Sequence, residues 1–263
     1  TLDGMKLVVG GEKPLSGEMK GSLLGRPLTA TLSGPSLHAA MQKGGAPVTL
    51  NVQNGRIAAR VSGTLNGADE SADLTFSLGA ERSGDVGAWL GLNPQSALPI
   101  ALAGRVRGNL KHWTLSQLVF QVGDSSLYSD LDQSTDEQRQ RLNAKLEIVS
   151  VNLQQLDKLR VPPVPSKSGQ SASLDIPILP AKLVLDDADI SVRARDIRGT
   201  QLELGEVGFD GHVRNGFMQT SPFFATIAGT RYDGAVMLDL RASEPHAEFW
   251  LSAAQVDVGK AMH

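Results

Sequence analysis

The chain has 263 residues, with 28 Gly, 13 Pro, no Cys, and 25 basic against 28 acidic side chains for a formal net charge of -3. That length supports one large domain or two smaller ones, and a 41% hydrophobic content with no three-residue glycine period excludes wholesale disorder and collagen. The missing Cys removes disulfides, thiolate catalysis, Cys-ligated zinc and iron–sulfur clusters, and the near-neutral balance lacks the concentrated basic face that nucleic acid requires.

Taken in chain order, the dominant local period is two. Leu28-Thr-Ala-Thr-Leu32 alternates and runs through Ser-Gly-Pro-Ser into a short helical pattern, Leu37 to Met41. Strands are expected at Val48–Val52 and Arg56–Leu65, on either side of Asn54-Gly55. After Asn66-Gly67, Ala72, Leu74, Phe76 and Leu78 stand opposite Asp73, Thr75 and Ser77, and Asp85 is a candidate N-cap for a helix to Leu90. Further strands are expected at Ile100–Arg107, Gln117–Val122 and Ser126–Asp132. From Arg141 to Val149, Leu142, Ala144, Leu146 and Ile148 share one parity, and Arg141, Asn143, Lys145 and Glu147 share the other. Successive strand side chains point to opposite faces, so this pattern predicts one apolar and one wet face. Asn152 then caps a helical pattern with Leu153, Leu156 and Leu159 on one side.

A Pro/Ser-rich stretch, Arg160 to Ser173, has no periodicity and is expected to be a loop or linker. It divides the chain into 1–160, 161–173 and 174–263, with a sheet that continues across it as the expected arrangement. Beyond it, strands are expected at Leu183–Arg195, Gln201–Val207 and Phe223–Ala228, with turns at Asp210-Gly211 and Asn215-Gly216. Val236, Leu238 and Leu240 alternate with Asp239 and Arg241, and Ala247–Leu251 is followed by a helical pattern from Val256 to Met262. Strand, polar joint and short helix thus recur four times at irregular spacing. One-sided alternation and short turns predict antiparallel meanders, since parallel strands need longer crossovers.

Catalytic and metal motifs are missing. His38, His112, His212, His246 and His263 lie more than five residues apart, so no H-E-x-x-H exists, and there is no nucleophile elbow, P-loop or strand-linked G-x-G-x-x-G. Asp186-Asp187-Ala-Asp189 lacks the Gly and Glu of an EF-hand loop and is expected to be a polar turn. Arg193, Arg195 and Arg198 could meet anionic headgroups, but Asp189 and Asp196 nearby favour a solvated outer face. No catalytic residue, metal or cofactor is expected. The longest apolar run, about Ala97 to Gly104, is far below the ~18–20 residues that span a bilayer. The start at Thr1-Leu2-Asp3-Gly4 predicts a fragment or processed chain, with any membrane anchor outside it.

The segments Leu174-Asp-Ile-Pro-Ile-Leu-Pro180, Ala188 to Arg195, Ile197 to Leu204, Asp210 to Gly216, Ala228 to Gly234 and Val256 to Gly259 together resemble the C-terminal part of AsmA-like bacterial envelope proteins. Upstream, Gly87 to Leu92, Leu98 to Leu102, His112 to Leu115 and Gly123 to Tyr128 are similar in the same way, so the resemblance runs from about Ser71 onward. Such proteins are related to the bridge-like lipid transfer proteins. The resemblance implies a mainly β fold: an antiparallel, strongly curved meandering sheet, a β-groove or taco, with short helices between repeat units. It implies the periplasmic portion of a protein tethered to the inner membrane. Phospholipid would be its partner, with membranes reached through an anchor outside this segment and other envelope proteins as further partners, and its work would be lipid passage toward the outer membrane and envelope integrity.

A lipid chain leaves water at ~0.8 kcal/mol per buried CH₂, so such a groove needs contiguous apolar side chains rather than directional chemistry. Parity supplies candidates: Leu74, Phe76, Leu78, Leu102, Val106, Leu142, Leu146, Ile148, Phe249 and Leu251. Each could equally be ordinary core beneath the helices or between two packed sheets. A non-catalytic structural or protein-interaction module of the envelope is the alternative function. A hydrolase would require two close carboxylates in a polar cleft.

Overall fold

Among the described residues, alternating segments along the chain hydrogen-bond into one sheet of sixteen strands. The computed structural model describes residues 2–10, 12–23, 25–36, 38–39, 45–90, 92–136, 139–160, 187–199, 203–239, 241 and 246–253. The first ten strands are β1 (Leu2–Val8), β2 (Leu15–Leu23), β3 (Arg26–Gly34), β4 (Ala46–Asn54), β5 (Ile57–Asn66), β6 (Ser71–Ala80), β7 (Ile100–Gly108), β8 (His112–Val122), β9 (Ser125–Asp136) and β10 (Arg139–Asn152). They are followed by β11 (Asp187–Ala194), β12 (Ile197–Arg198), β13 (Leu204–Arg214), β14 (Phe217–Ile227), β15 (Thr230–Asp239) and β16 (His246–Ser252). Among the described residues two whole helices interrupt them, α1 (Ser83–Leu90) after β6 and α2 (Leu153–Asp157) after β10. The fold is therefore mainly β and mostly antiparallel, with each strand beside its sequence neighbour and β12 a short side branch between β10 and β13.

The meander has one exception, at β10, which pairs in parallel with β11, from Arg141↔Asp187 to Ile148↔Ala194, and with the short β12 beyond it. Parallel neighbours need a connection that returns the chain to the strand's starting end. That connection is the long stretch between α2 and β11, and it contains the Pro/Ser-rich 161–173, which lies outside the described residues. The sheet is hydrogen-bonded without a break from the first half of the chain to the second through this pair.

Tight turns follow local chemistry where the expected residues are free to form them. Asn215 (φ 50°) and Gly216 (φ 76°) both sit in the left-handed region that a two-residue hairpin between β13 and β14 demands. Asp210-Gly211 is not a turn: it lies inside β13. There Ser191 Oγ donates to Asp210 at 2.7 Å, and Gly211 pairs with Ile190 and Thr220, so tertiary partners override the local turn preference. Asp187 and Asp189 likewise begin β11 instead of forming a turn. Asp85 is not the cap of α1 but lies in its first turn, since the helix opens at Ser83. Asn152 does cap α2, its side chain accepting from the Gln155 N–H at 3.2 Å. The helical patterns at Leu37–Met41 and Val256–Met262 fall wholly or mainly outside the described residues.

The closed part of the core sits along one rim of the sheet. Asn54, Ile57, Ala80, Ile100, Val122 and Ser125 are successive cross-strand partners from β4 to β9, and all six are buried. Val86 of α1, fully buried, and Leu159 just beyond α2 cover this row, with Leu92, Leu98 and Leu156 packed around them. The two helical segments are tied to each other by Asn93 N–H donating to Leu159 O at 2.7 Å. α2 is tied to the β8–β9 turn by Gln155 Nε2 donating to Asp124 at 2.7 Å, and α1 to β3 by the Arg26–Asp85 ion pair at 3.2 Å.

Candidate functional site

Cross-strand partners share a face, so the register assigns every paired residue to one side of the sheet. One row runs Leu74, Val106, Leu115, Leu131, Ala144, Ile190, Gly211, Thr220, Val236 and Phe249, from β6 to β16. At the ~4.8 Å spacing of neighbouring strands, it is about 43 Å long. An adjacent row continues Leu118, Ser129, Leu146, Val192, Phe209, Phe223, Gly234 and Leu251, on the same face as Phe76. Leu78, Leu102, Phe120, Leu127 and Ile148 form the row between this one and the closed rim. Leu142 lies on the far side, in line with Trp113, Gln133, Ala188 and Val213.

All ten sequence candidates thus fall on one face, and none of them is buried. Leu78 borders the closed rim and packs against its cluster. Leu74, Phe76, Leu102, Val106, Leu142, Leu146 and Ile148 are half-buried, and Phe249 and Leu251 are 70% and 50% exposed. The face divides into a row sealed by α1 and α2 and several rows whose larger side chains are mostly half-buried or exposed, with Ser129, Ala144, Ala188, Val213 and Thr220 buried among them. Arg26, at the sealed rim, is the only charged residue in register on this face among the described residues.

A shallow depression of about 630 Å³ lies over the middle of the long row, at Leu115, Leu131, Ala144, Ile190 and Gly211. Its surface is almost wholly apolar although the flanking positions are Asp, Asn, Ser, Thr, Lys and His. Those flanking side chains point to the opposite face, and the small residues Ala144 and Gly211 set the floor below their neighbours. Leu115, Leu131, Ile190, Val192 and Phe209 were not among the sequence candidates. The bulge between Leu115 and Leu118 breaks the alternation along β8, and Leu131 follows from β9 only once its register is known.

The opposite face is an ion-pair lattice. Asp73 accepts two hydrogen bonds from Arg105, both 2.6 Å, and lies 3.9 Å from Arg107. His112 pairs with Asp132 at 2.9 Å, Arg193 with Asp210 at 2.9 Å, and Asp189 with His212 at 2.6 Å and Arg214 at 3.0 Å. Arg195 lies 3.6 Å from Glu147 and 3.7 Å from Glu206, and Arg198 pairs with Asp196. The Arg105 hydrogen bonds hold the Asp73 carboxyl below the usual range, and hydrogen bonds from His212 and Arg214 do the same for Asp189. Hydrogen bonds from Arg193 and Ser191 lower Asp210. Phe224 on this side lies under Arg231 and Arg193, with centroid distances of 4.3 and 5.6 Å. Among the described residues no three His, Asp or Glu side chains group as metal ligands.

Comparison with protein-family models, with curated proteins and with solved structures finds no match.

Proposed function

We propose that the uncovered apolar face holds the acyl chains of phospholipid, and that this chain is the periplasmic portion of an AsmA-like protein that supports lipid transport between the inner and outer membranes. Tethering to the inner membrane would come from an anchor outside this segment. The observation that carries the proposal is the pairing of a continuous apolar face, most of whose larger side chains are half-buried or exposed from β6 to β16, with an opposite face built of charges. Isolated apolar residues at a surface are ordinary, but a contiguous uncovered stripe marks a binding surface. Its long row, about 43 Å, exceeds the ~15 Å depth of one leaflet's acyl layer, half a ~30 Å hydrocarbon core. At ~0.8 kcal/mol per buried CH₂, a chain laid along this row gains several kcal/mol without any directional contact.

One alternative function competes with it. A structural or interaction module would use the sheet edges, whereas a lipid carrier uses the face. The test is uptake of a labelled phospholipid from vesicles by delipidated protein, with circular dichroism to confirm the fold. Replacing Phe76, Leu146 and Phe249 together with Asp should abolish uptake while strand content is kept. Folded wild-type protein that takes up no lipid would overturn the proposal.

A further inference from the structure

Leu110 is 90% exposed, more than any other large apolar side chain among the described residues. It sits in the β7–β8 turn, at the end of the strands opposite α1 and α2. From Ile100 in the sealed row to Gly108, β7 carries the turn about 26 Å away from that row. We infer that this turn is a docking tip for an anionic phospholipid bilayer: Leu110 enters the outer apolar layer, while Lys111, Arg139 and Arg141 meet the headgroups.

The turn is built to leave water. A backbone polar group without a partner is costly in a lipid layer. Here Asn109 Oδ1 accepts from the N–H groups of Lys111 and His112, both at 2.9 Å. The Asn109 N–H donates to the His112 carbonyl at 2.8 Å, and the Lys111 carbonyl accepts from the Thr135 N–H at 2.6 Å. Gly108 (φ 131°) lets the two strands close, since an added Cβ would overlap the His112 carbonyl oxygen. Leu110 is thus held out on a fixed turn whose backbone groups are already paired around it.

Charge selects the bilayer as the partner. Lys111, Arg139 and Arg141 are exposed and form no ion pair among the described residues, unlike the lattice on the rest of the charged face. Thr135, which holds Lys111, pairs with Gln140, and His112 is in register with Ser134 and Arg141, so the three cations lie beside one tip. Asp136 stands opposite Arg139 without an ion pair between them. Each basic side chain near an anionic leaflet adds to binding, and a buried Leu adds an apolar share that needs no matching pocket. The β5–β6 turn carries Asp69 and Glu70, which confines the contact to the side of β7 to β10. The inference rests on the lipid reading for its purpose: the apolar face reaches this rim through Leu65, Ala72, Gly108 and Trp113, so docking sets that face against a source of acyl chains.

The 263-residue chain has no Cys, so Leu110→Cys accepts a single environment-sensitive fluorophore, with the exposed Gln95→Cys at the sealed rim as the control. With vesicles of about 30% phosphatidylglycerol in phosphatidylcholine, the probe at 110 should brighten and shift blue, and the probe at 95 should not. In unlabelled protein, Leu110→Asp should lower vesicle binding about tenfold and Lys111→Gln about fivefold, with strand content kept because both side chains are exposed. No response at 110, an equal response at 95, or binding indifferent to Leu110→Asp would overturn the inference. Docking through the tip without lipid uptake would strike the lipid reading alone, and uptake with a silent tip would strike this inference alone.

Discussion

Gly84 in α1 and Gly79 in β6 are both glycines without positive φ, yet they make opposite demands. A Cβ on Gly84 would overlap the carbonyl oxygen of Pro94, part of the loop that seals the rim. Nothing lies within 4 Å of a Cβ on Gly79. Gly84→Ala should therefore cost about 1–3 kcal/mol in urea unfolding, and Gly79→Ala less than about 0.5 kcal/mol. On the charged face, the prediction concerns pH. Asp189 and Asp210 have lower pKa values folded than the ordinary Asp value near 3.8. Such carboxylates add stability above the unfolded value and lose it as pH falls through the folded one. The melting temperature should stay level from pH 7 to about 5 and fall below about 4. Asp210→Asn should flatten that acid limb, and added salt should shrink it because these pairs are only partly shielded from solvent. At this scale the sequence was informative about facing and silent about partners. The parity of Leu142, Leu146 and Ile148 reveals a shared side. Nothing local shows that Asp210, in an Asp-Gly pair, is held in a strand by Arg193 and Ser191.

Element by element, the two helices decide where the apolar face is closed. Ile100 lies beneath α1, 3% exposed, whereas Leu142 is only half-buried. Ile100→Ala should cost about 2–5 kcal/mol, and Leu142→Ala about 1 kcal/mol, in the same unfolding experiment. Hydrogen exchange in dilute protein should be slowest in the central strands β7 to β10 and fastest in β1 and β16, which have one neighbour each among the described residues. Strong alternation made β5, β6, β7 and β10 legible. β1 and β2 were missed because Gly4, Gly17 and Gly21 interrupt their apolar parity, and β8 was seen only from Gln117 because its bulge shifts the pattern there. The parallel pairing was also missed, although the Pro/Ser-rich segment is the length of chain that such a crossover requires.

Across the whole molecule, the two faces of one sheet divide the work: ion pairs on one side, and on the other a continuous apolar surface sealed at one rim and largely half-exposed beyond it. The central claim is that acyl chains lie against that open surface. Trp113 is in register on the apolar face and Trp250 on the charged one, so the chain carries a reporter on each side. Two single-reporter variants follow, Trp89→Phe with Trp250→Phe and Trp89→Phe with Trp113→Phe. Measured with phospholipid brominated along its acyl chains, fluorescence from Trp113 should be strongly quenched and that from Trp250 left nearly unchanged. Equal quenching of both, or quenching of Trp250 alone, would contradict the account.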